Sequence, residues 1–152
     1  MPILHRLSIA ARAILVGWAA LLALTYLVER PLVIWTAPLL GSHWVATAKL
    51  SLDCMALAGT GWLIGRLHRS APLLGVLAFA ATLAVFNLDP LLNTNVLWLI
   101  RLAADALRDT HDLGSFATTA AQHLCLFGSL VAGALLARPS PGPLSIFDED
   151  TR

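Results

Sequence analysis

The residues best able to do chemistry in this sequence are four polar side chains that interrupt long apolar runs. Lys49 and Asp53 are four residues apart, so a helix would place them on one face. Gln122 and His123 stand together inside a second apolar run. If the Asp53 carboxylate met the His123 imidazole, it would raise the proton affinity of that ring. We therefore take Lys49, Asp53, Gln122 and His123 as a candidate buried polar site.

Each of these pairs also has a simpler interpretation. Lys49 and Asp53 could pair only with each other, which would lower the cost of placing charge in an apolar medium. His123 could be hydrogen-bonded to a helix carbonyl, or to Thr118 or Thr119. Counted from the start of their apolar runs, Asp53 and His123 lie at about the same depth. Whether their two helices are neighbours is left open by the sequence.

Other familiar kinds of active site have no counterpart here. The sequence contains neither a glycine-rich phosphate loop nor a His-Glu-x-x-His motif. Cys54 and Cys125 are too few and too isolated to form a metal framework. We therefore assign no catalytic residue and no metal ligand, and whether the protein is an enzyme stays open.

The composition places these residues in a membrane protein. Hydrophobic residues make up 58% of the 152 residues and charged residues 12%, and the mean hydropathy is +0.77. A soluble domain has about 45–50% apolar and about 25% charged residues. The net charge of +1 also lacks the excess of basic residues typical of nucleic-acid binders. We expect the lipid bilayer, and no nucleic acid, as partner.

Four apolar stretches approach the length of about 20 residues that a membrane-spanning helix needs. They are residues 9–28, 44–64, 71–88 and 113–137. No typical signal-peptide cleavage site precedes Glu29, so we expect the first stretch to be retained. The fold class is therefore predicted as all-α, an integral membrane four-helix bundle over residues 1–138. Residues 139–152 are predicted to be a tail that is rich in Pro and Ser and then acidic.

The arginines predict the orientation in the membrane. With both termini on one side, that side holds six arginines and the opposite side three. The side richer in basic residues faces the cytoplasm, so we expect a multi-pass protein with both termini and the 139–152 tail cytoplasmic. The six are Arg6, Arg12, Arg66, Arg69, Arg138 and Arg152, and the three are Arg30, Arg101 and Arg108.

Two longer connections fall on the outer side. Residues 29–43 contain Pro31 and Pro38 and are predicted to be a short segment lying on the membrane. Residues 97–112 predict an amphipathic interfacial helix, which either covers the mouth of the bundle or docks a partner. The charged face, our candidate partner surface, is Arg101, Asp105, Arg108 and Asp112, and the apolar face is Leu97, Ile100, Ala104 and Leu107.

Three segments carry a family pattern. Residues 58–66, AGTGWLIGR, form a glycine-containing helix end with a basic turn. Residues 123–130, HLCLFGSL, place a glycine after a short apolar run, and residues 141–148, PGPLSIFD, form the exit from the last span. With four spans, this layout resembles the DoxX-like family of small four-helix bacterial membrane proteins.

The resemblance implies an inner-membrane accessory subunit of a quinone-linked or other membrane redox complex. Quinone is the cofactor, and a membrane oxidoreductase the partner, that it implies. Two alternatives stay open, a non-catalytic scaffold or assembly protein and a small proton-coupled transport unit. The Gly61-x-x-x-Gly65 spacing fits either packing within the chain or a homo-oligomer.

Overall fold

The computed structural model describes residues 2–39, 41–68, 71–86, 96–108 and 113–137. These ranges are helical and contain no strand. A π-helical segment, Thr25–Glu29, joins the first two helices, and the 139–152 tail lies outside the described residues. The helices are α1 Pro2–Leu24, α2 Arg30–Thr36, α3 Ser42–Leu67, α4 Pro72–Val85, α5 Val96–Ala106 and α6 Leu113–Leu136.

The first helix continues past the boundary that the sequence suggests. Glu29 and Arg30 both have α-helical backbone angles, and the Arg30 N–H donates to the Thr25 carbonyl. A proline ring crowds the carbonyl four residues before it, and the wider π turn just ahead of Pro31 gives that carbonyl room. The helix therefore runs on to Thr36, and the start of the segment predicted to lie on the membrane belongs to it instead.

Helices α1 and α4 pack side by side in the same direction. Ala13, at the middle of α1, lies against Gly75, near the start of α4. Further along both helices, the Trp18 Nε1–H donates to Thr82 Oγ1 at 3.1 Å. Trp18 also makes an edge-to-face contact with Phe79, with ring centroids 5.7 Å apart. Helices α1 and α4 therefore run parallel.

Helices α3 and α6 make the most extensive contact in the described part of the chain. Gly61 lies against Leu130, and Gly65 one turn later lies against Ala134, so these two helices are also parallel. A methyl group at Gly61 would collide with the backbone carbonyl of Leu130. The Gly61-x-x-x-Gly65 face is thus covered by α6 of the same chain, so it does not serve as an exposed dimer face.

The contacts between these two pairs define the ends of the molecule. Leu24 lies beside Gly59, and Glu29 reaches Lys49, so α1 and α3 are antiparallel. The start of α1, the start of α4 and the ends of α3 and α6 therefore share one end, which we call the proximal end. The opposite, distal end holds the π-helical segment, α2, the start of α3 and the start of α6.

Many large hydrophobic side chains lie on the surface of the molecule. Large hydrophobic side chains such as Leu15, Leu77 and Leu124 are exposed on α1, α4 and α6. Two helical stretches, Ile3–Thr36 and Leu113–Leu136, are long and apolar enough to cross a membrane, whereas α4 is apolar but has 14 residues. The largest fully buried side chains among the described residues are Leu57, Thr60, Ile64, Val76, Phe79, Leu83 and Leu130.

Candidate functional site

The structure places a cluster of three charged side chains inside the distal half of the molecule. Lys49 Nζ donates to Asp53 Oδ2 at 2.7 Å, one helical turn along α3. The same ammonium group lies 3.5 Å from Glu29 Oε1, across the α1–α3 contact. The Glu29 carboxyl group also lies beside that of Asp53. We call Glu29, Lys49 and Asp53 the carboxylate cluster.

Both acidic members of the cluster are removed from solvent. The side chains of Glu29 and Asp53 are 5% and 6% exposed, and that of Lys49 is 19% exposed. One oxygen of each acid, Glu29 Oε2 and Asp53 Oδ1, is buried without a hydrogen-bond partner. Two carboxylates therefore face one ammonium group, and with every group ionised the site would carry one uncompensated negative charge.

An apolar cleft adjoins the cluster on the side of the molecule, between the first helix and α3. Its volume is about 240 Å³, and Glu29 forms part of its wall. Gly59 and Ala56 leave the gap because their side chains are too small to fill the space beside Leu24. The remaining lining is aliphatic or thioether side chains: Val28, Leu32, Leu52 and Met55.

His123 is buried at the α3–α6 side of the interior but does not join the cluster. Its Nδ1 lies 2.9 Å from the Thr119 carbonyl of the preceding helical turn, and the ring stacks on Phe127. Its Nε2 has no hydrogen-bond partner, so no hydrogen bond links His123 to Asp53. The helix-carbonyl alternative considered for His123 is the arrangement in the structure, although α3 and α6 are neighbours.

Gln122 lies outside this interior site. It is exposed, whereas the adjacent His123 is buried. Consecutive residues project about 100° apart on a helix, and here the rotation of α6 turns His123 inward and Gln122 outward. Of the four polar residues that the sequence groups together, the structure brings Lys49 and Asp53 into contact, and Glu29 takes the place expected for the Gln122–His123 pair.

Glu29 could not be recognised from the sequence because it stands next to Arg30 and Pro31. A charged pair followed by proline normally marks the end of a span. The one available signal for Glu29 is indirect. The four-residue spacing places Lys49 beside the buried Asp53 carboxylate, and a lysine in that position can also contact an acidic side chain on a neighbouring helix. The π-helical turn that keeps Glu29 on the inner face has no clear signature in the sequence.

Helix α5 lies at the distal end against α4 and α6. Arg101, Asp105 and Arg108 are exposed, and among the described residues no salt bridge joins these three to one another. Asp112 lies outside the described residues. The predicted apolar face is also exposed, with Leu107 at 89%. The contact with the rest of the molecule is made by a third face, formed by Leu99, Leu102, Ala103 and Ala106.

Within the described residues, no group of three histidine, cysteine or acidic side chains is arranged to hold a metal ion. Comparisons with protein-family models, curated proteins and solved structures find no match to this chain. The chemistry that the geometry supports is binding of a proton. Two buried carboxyl groups and one lysine reach electrical neutrality when a single proton is added.

Proposed function

We propose that the protein is an integral membrane protein whose α1, α3, α4 and α6 form a four-helix bundle that crosses the bilayer four times. The alternating helix directions and the exposed leucines on three of these helices support this arrangement. The proximal end would face the cytoplasm of a bacterial inner membrane, because it holds Arg6, Arg12 and Arg66, and the sequence adds further arginines on that side.

Helix α4 needs neighbours to complete its crossing. Its 14 residues span about 21 Å, compared with a hydrocarbon core of about 30 Å. Polar backbone at membrane depth is tolerated where it is buried in protein. Parallel packing of α4 on α1 supplies part of that cover.

Within this bundle we propose that the carboxylate cluster takes up and returns a proton at the distal, outer side. The single observation that carries the proposal is the burial of two carboxylates around one lysine. Removing a charge from water without full compensation is costly, and a shared proton removes that cost for a carboxylate pair. The lysine fixes the remaining carboxylate and keeps the site assembled in both protonation states.

We further propose that this site serves a membrane redox complex, in which the protein is a DoxX-like accessory subunit. Oxidation of a quinol releases protons, and a buried carboxylate pair near the outer surface is suited to receive one. The exposed charged face of α5, Arg101, Asp105 and Arg108, supplies a surface for the oxidoreductase partner. Quinone enters this proposal through the family resemblance alone.

The interior on the proximal side of the cluster argues against a proton-conducting transport unit. Leu57, Ile64 and Phe79 fill that region. The hydroxyl group of Thr60 is occupied, since it donates to the Ala56 carbonyl of its own helix at 2.8 Å. No chain of polar side chains crosses the described part of this region, so a proton bound at the cluster would return to the side from which it came.

Infrared difference spectroscopy of the purified protein across a pH series tests the proton site. A protonated carboxyl group has its own carbonyl stretching band, which should appear as the pH falls in the wild type. The band should be lost or displaced in both Glu29→Gln and Asp53→Asn, because each replaces half of the pair. Loss in neither variant would show that the cluster is a purely structural ion pair, as a non-catalytic scaffold would have.

Purification from membranes in mild detergent tests the redox assignment separately. We expect a cofactor-bearing oxidoreductase, with extractable quinone, to accompany the wild type. The double variant Arg101→Glu/Arg108→Glu should lose that partner and keep its own helical fold. A colourless protein isolated alone, without quinone, would count against the redox role and leave the infrared result standing.

A further inference from the structure

We infer that the proximal end of the molecule binds the phosphodiester headgroup of an anionic phospholipid through Arg12, Trp62 and Arg66. We call these three residues the arginine–tryptophan patch. The inference rests on the proposed function in one respect, because it requires the proximal end to lie at a membrane surface. It involves neither the carboxylate cluster nor a redox partner.

The two arginines of the patch lie at one level of the bundle, on neighbouring helices. Ala13 of α1 and Ile64 of α3 both lie against Gly75 of α4. Arg12 directly precedes Ala13, and Arg66 lies two residues after Ile64. Because α1 and α3 are antiparallel, both steps lead toward the proximal end, so the two arginines lie at nearly the same depth.

Both arginines also lie on the α1–α3 side of the molecule. Arg66 follows Gly59 by seven residues, or about two helical turns, and Gly59 lies beside Leu24 of α1. Burial and, to a smaller extent, the Arg12 guanidinium group lower the pKa of His68 below its usual value, so Arg12 lies near the end of α3. Both arginines are exposed. One headgroup on this side can therefore meet both guanidinium groups.

Trp62 orients the guanidinium group of Arg66. That group lies over the Trp62 ring, 5.2 Å from its centroid and one turn along the same helix. Trp62 is 42% exposed, and tryptophan is enriched where lipid headgroups meet the hydrocarbon core. Stacking on the ring leaves the N–H groups at the edge of the guanidinium plane, from which they can donate in pairs to phosphate oxygens.

The charge of the patch is not balanced by any acidic side chain in the described part of the chain. The acidic residues described there are Glu29, Asp53 and Asp105, and all three lie in the distal half. Neither Arg12 nor Arg66 forms a salt bridge with a described residue. Anionic lipids attract basic residues at the membrane surface, whereas the ammonium group of a zwitterionic lipid offsets the charge of its own phosphate.

The surroundings of the patch favour a lipid over a soluble anion. Leu15, one turn after Arg12, is 70% exposed, and Met55, two turns before Trp62, is 61% exposed. An anion bound at the patch therefore borders an apolar surface on its distal side. The acyl chains of a phospholipid can continue along that surface from the headgroup.

Quenching of tryptophan fluorescence in lipid nanodiscs tests the inference. The nanodiscs consist of phosphatidylcholine with a fixed fraction of lipid brominated on its acyl chains, either phosphatidylglycerol or phosphatidylcholine. Subtracting the signal of Trp62→Phe isolates that of Trp62. We expect phosphatidylglycerol to occupy the patch in preference to phosphatidylcholine by roughly 10- to 30-fold, because each of two arginines contributes up to about a factor of five.

Two double variants locate the site. Arg12→Gln/Arg66→Gln should lose the preference for phosphatidylglycerol, while the quenching of Trp62 by brominated phosphatidylcholine persists and shows that the variant is folded and inserted. Arg101→Gln/Arg108→Gln is the matched control, since it removes two exposed arginines from the distal end. It should keep the preference of the wild type.

Three results of this experiment would overturn the inference. Equal quenching of Trp62 by the two brominated lipids would do so and leave the four-helix arrangement standing. Quenching by neither lipid would overturn that arrangement as well, since Trp62 would not then meet the bilayer. Displacement of brominated phosphatidylglycerol by inorganic phosphate would assign the patch to a soluble anion.

The acidic tail is the other candidate occupant of the patch. Asp148, Glu149 and Asp150 lie outside the described residues, so the tail is tested with the full-length variant Asp148→Asn/Glu149→Gln/Asp150→Asn. We expect this variant to show the same lipid preference as the wild type. A preference that appears only in this variant would assign the arginines to the tail and overturn the inference.

Discussion

Lys49 holds the carboxylate cluster together, because both acids of the cluster face its ammonium group. Its single positive charge is shared between the two carboxyl groups. Replacing it removes the cation and leaves two buried carboxylates side by side. At the scale of single residues, Lys49 is therefore the most sensitive position of the site.

We expect Lys49→Met to destabilise the protein by about 3 kcal/mol, because breaking a buried charge pair leaves an uncompensated charge. The measurement is the thermal unfolding midpoint in detergent at neutral pH. The triple variant Lys49→Met/Glu29→Gln/Asp53→Asn removes all three charges and should recover most of the loss. If the single and triple variants were equally unstable, packing rather than charge would explain the defect.

His68 lies at the end of α3, and it should make the stability of the folded protein depend on pH independently of the carboxylate cluster. Burial, and to a smaller extent the Arg12 guanidinium group on α1, holds the pKa of His68 below its usual value. Its Nε2 is buried without a hydrogen-bond partner. As the pH falls through about 6.5, the unfolded chain takes up this proton before the folded protein does, so stability is lost on acidification.

We therefore expect the thermal midpoint of the wild type to fall between pH 7.5 and pH 5.5 by more than that of His68→Gln. The glutamine is neutral throughout this range, so its difference from the wild type isolates the imidazole. His5 is exposed at the start of α1, and His5→Gln is the control that should behave as the wild type. A parallel fall in wild type and His68→Gln would assign the effect to other groups.

The sequence predicts part of the site and not the rest, for identifiable reasons. A four-residue spacing brings Lys49 and Asp53 together on any helix, and the structure has that contact. Glu29 depends on how the chain passes Pro31, which is decided by a local π turn. The partners of His123 depend on the rotation of α6 about its axis, and spacing along the chain cannot fix that angle.

At the scale of helices, the α3–α6 contact depends on the absence of side chains. A Cβ at Gly61 would collide with the Leu130 carbonyl, and one at Gly133 would collide with the Ala58 carbonyl. The two clashes involve backbone atoms on both helices, so a side-chain rotation cannot relieve them. The helices must separate to admit even a methyl group.

We expect Gly61→Ala and Gly133→Ala each to destabilise the protein by about 1–3 kcal/mol through overpacking. Gly128→Ala, on the exposed side of α6, should be neutral or slightly stabilising because alanine has the higher helix propensity. Thermal midpoints of the three variants in one detergent decide the matter. Similar values for all three would show that α3 and α6 do not approach as closely as described.

Helix positions follow from hydrophobic patterning more readily than helix ends. The predicted spans 44–64 and 113–137 lie on α3 and α6, with ends that differ by a few residues. The first span was predicted to end before Pro31, with an interfacial segment after it. In the structure the helix continues through Pro31 to Thr36. The amphipathic pattern of α5 is present, but its predicted apolar face is exposed, since small and leucine side chains on a third face make the packing contact.

At the scale of the whole molecule, the proximal and distal ends should lie on opposite sides of the membrane. We expect Leu39→Cys, in the turn after α2, to react with a membrane-impermeant maleimide in intact bacterial cells. Arg66→Cys, near the end of α3, should react only after the membrane is opened. Both variants are made with Cys54 and Cys125 replaced by alanine, so that no native thiol contributes.

Labelling of both positions from the same side would contradict the proposed crossing of α3. Labelling of Arg66→Cys alone in intact cells would reverse the orientation and place the carboxylate cluster toward the cytoplasm. The same assay on Arg108→Cys, at the end of α5, checks the location of that helix. It should react like Leu39→Cys.

The pairing of Gly61 with a partner far along the chain also has a consequence for biogenesis. The ribosome completes α3 well before it makes α6, so the glycine face of a newly made α3 stays uncovered while synthesis continues. In the proposed four-span arrangement, that face would meet lipid or the insertion machinery. In that arrangement, the earlier crossings would not be fully packed until α6 is inserted. A truncated chain that lacks α6 would leave the glycine face of α3 uncovered. We expect membrane quality-control proteases to recognise and degrade it.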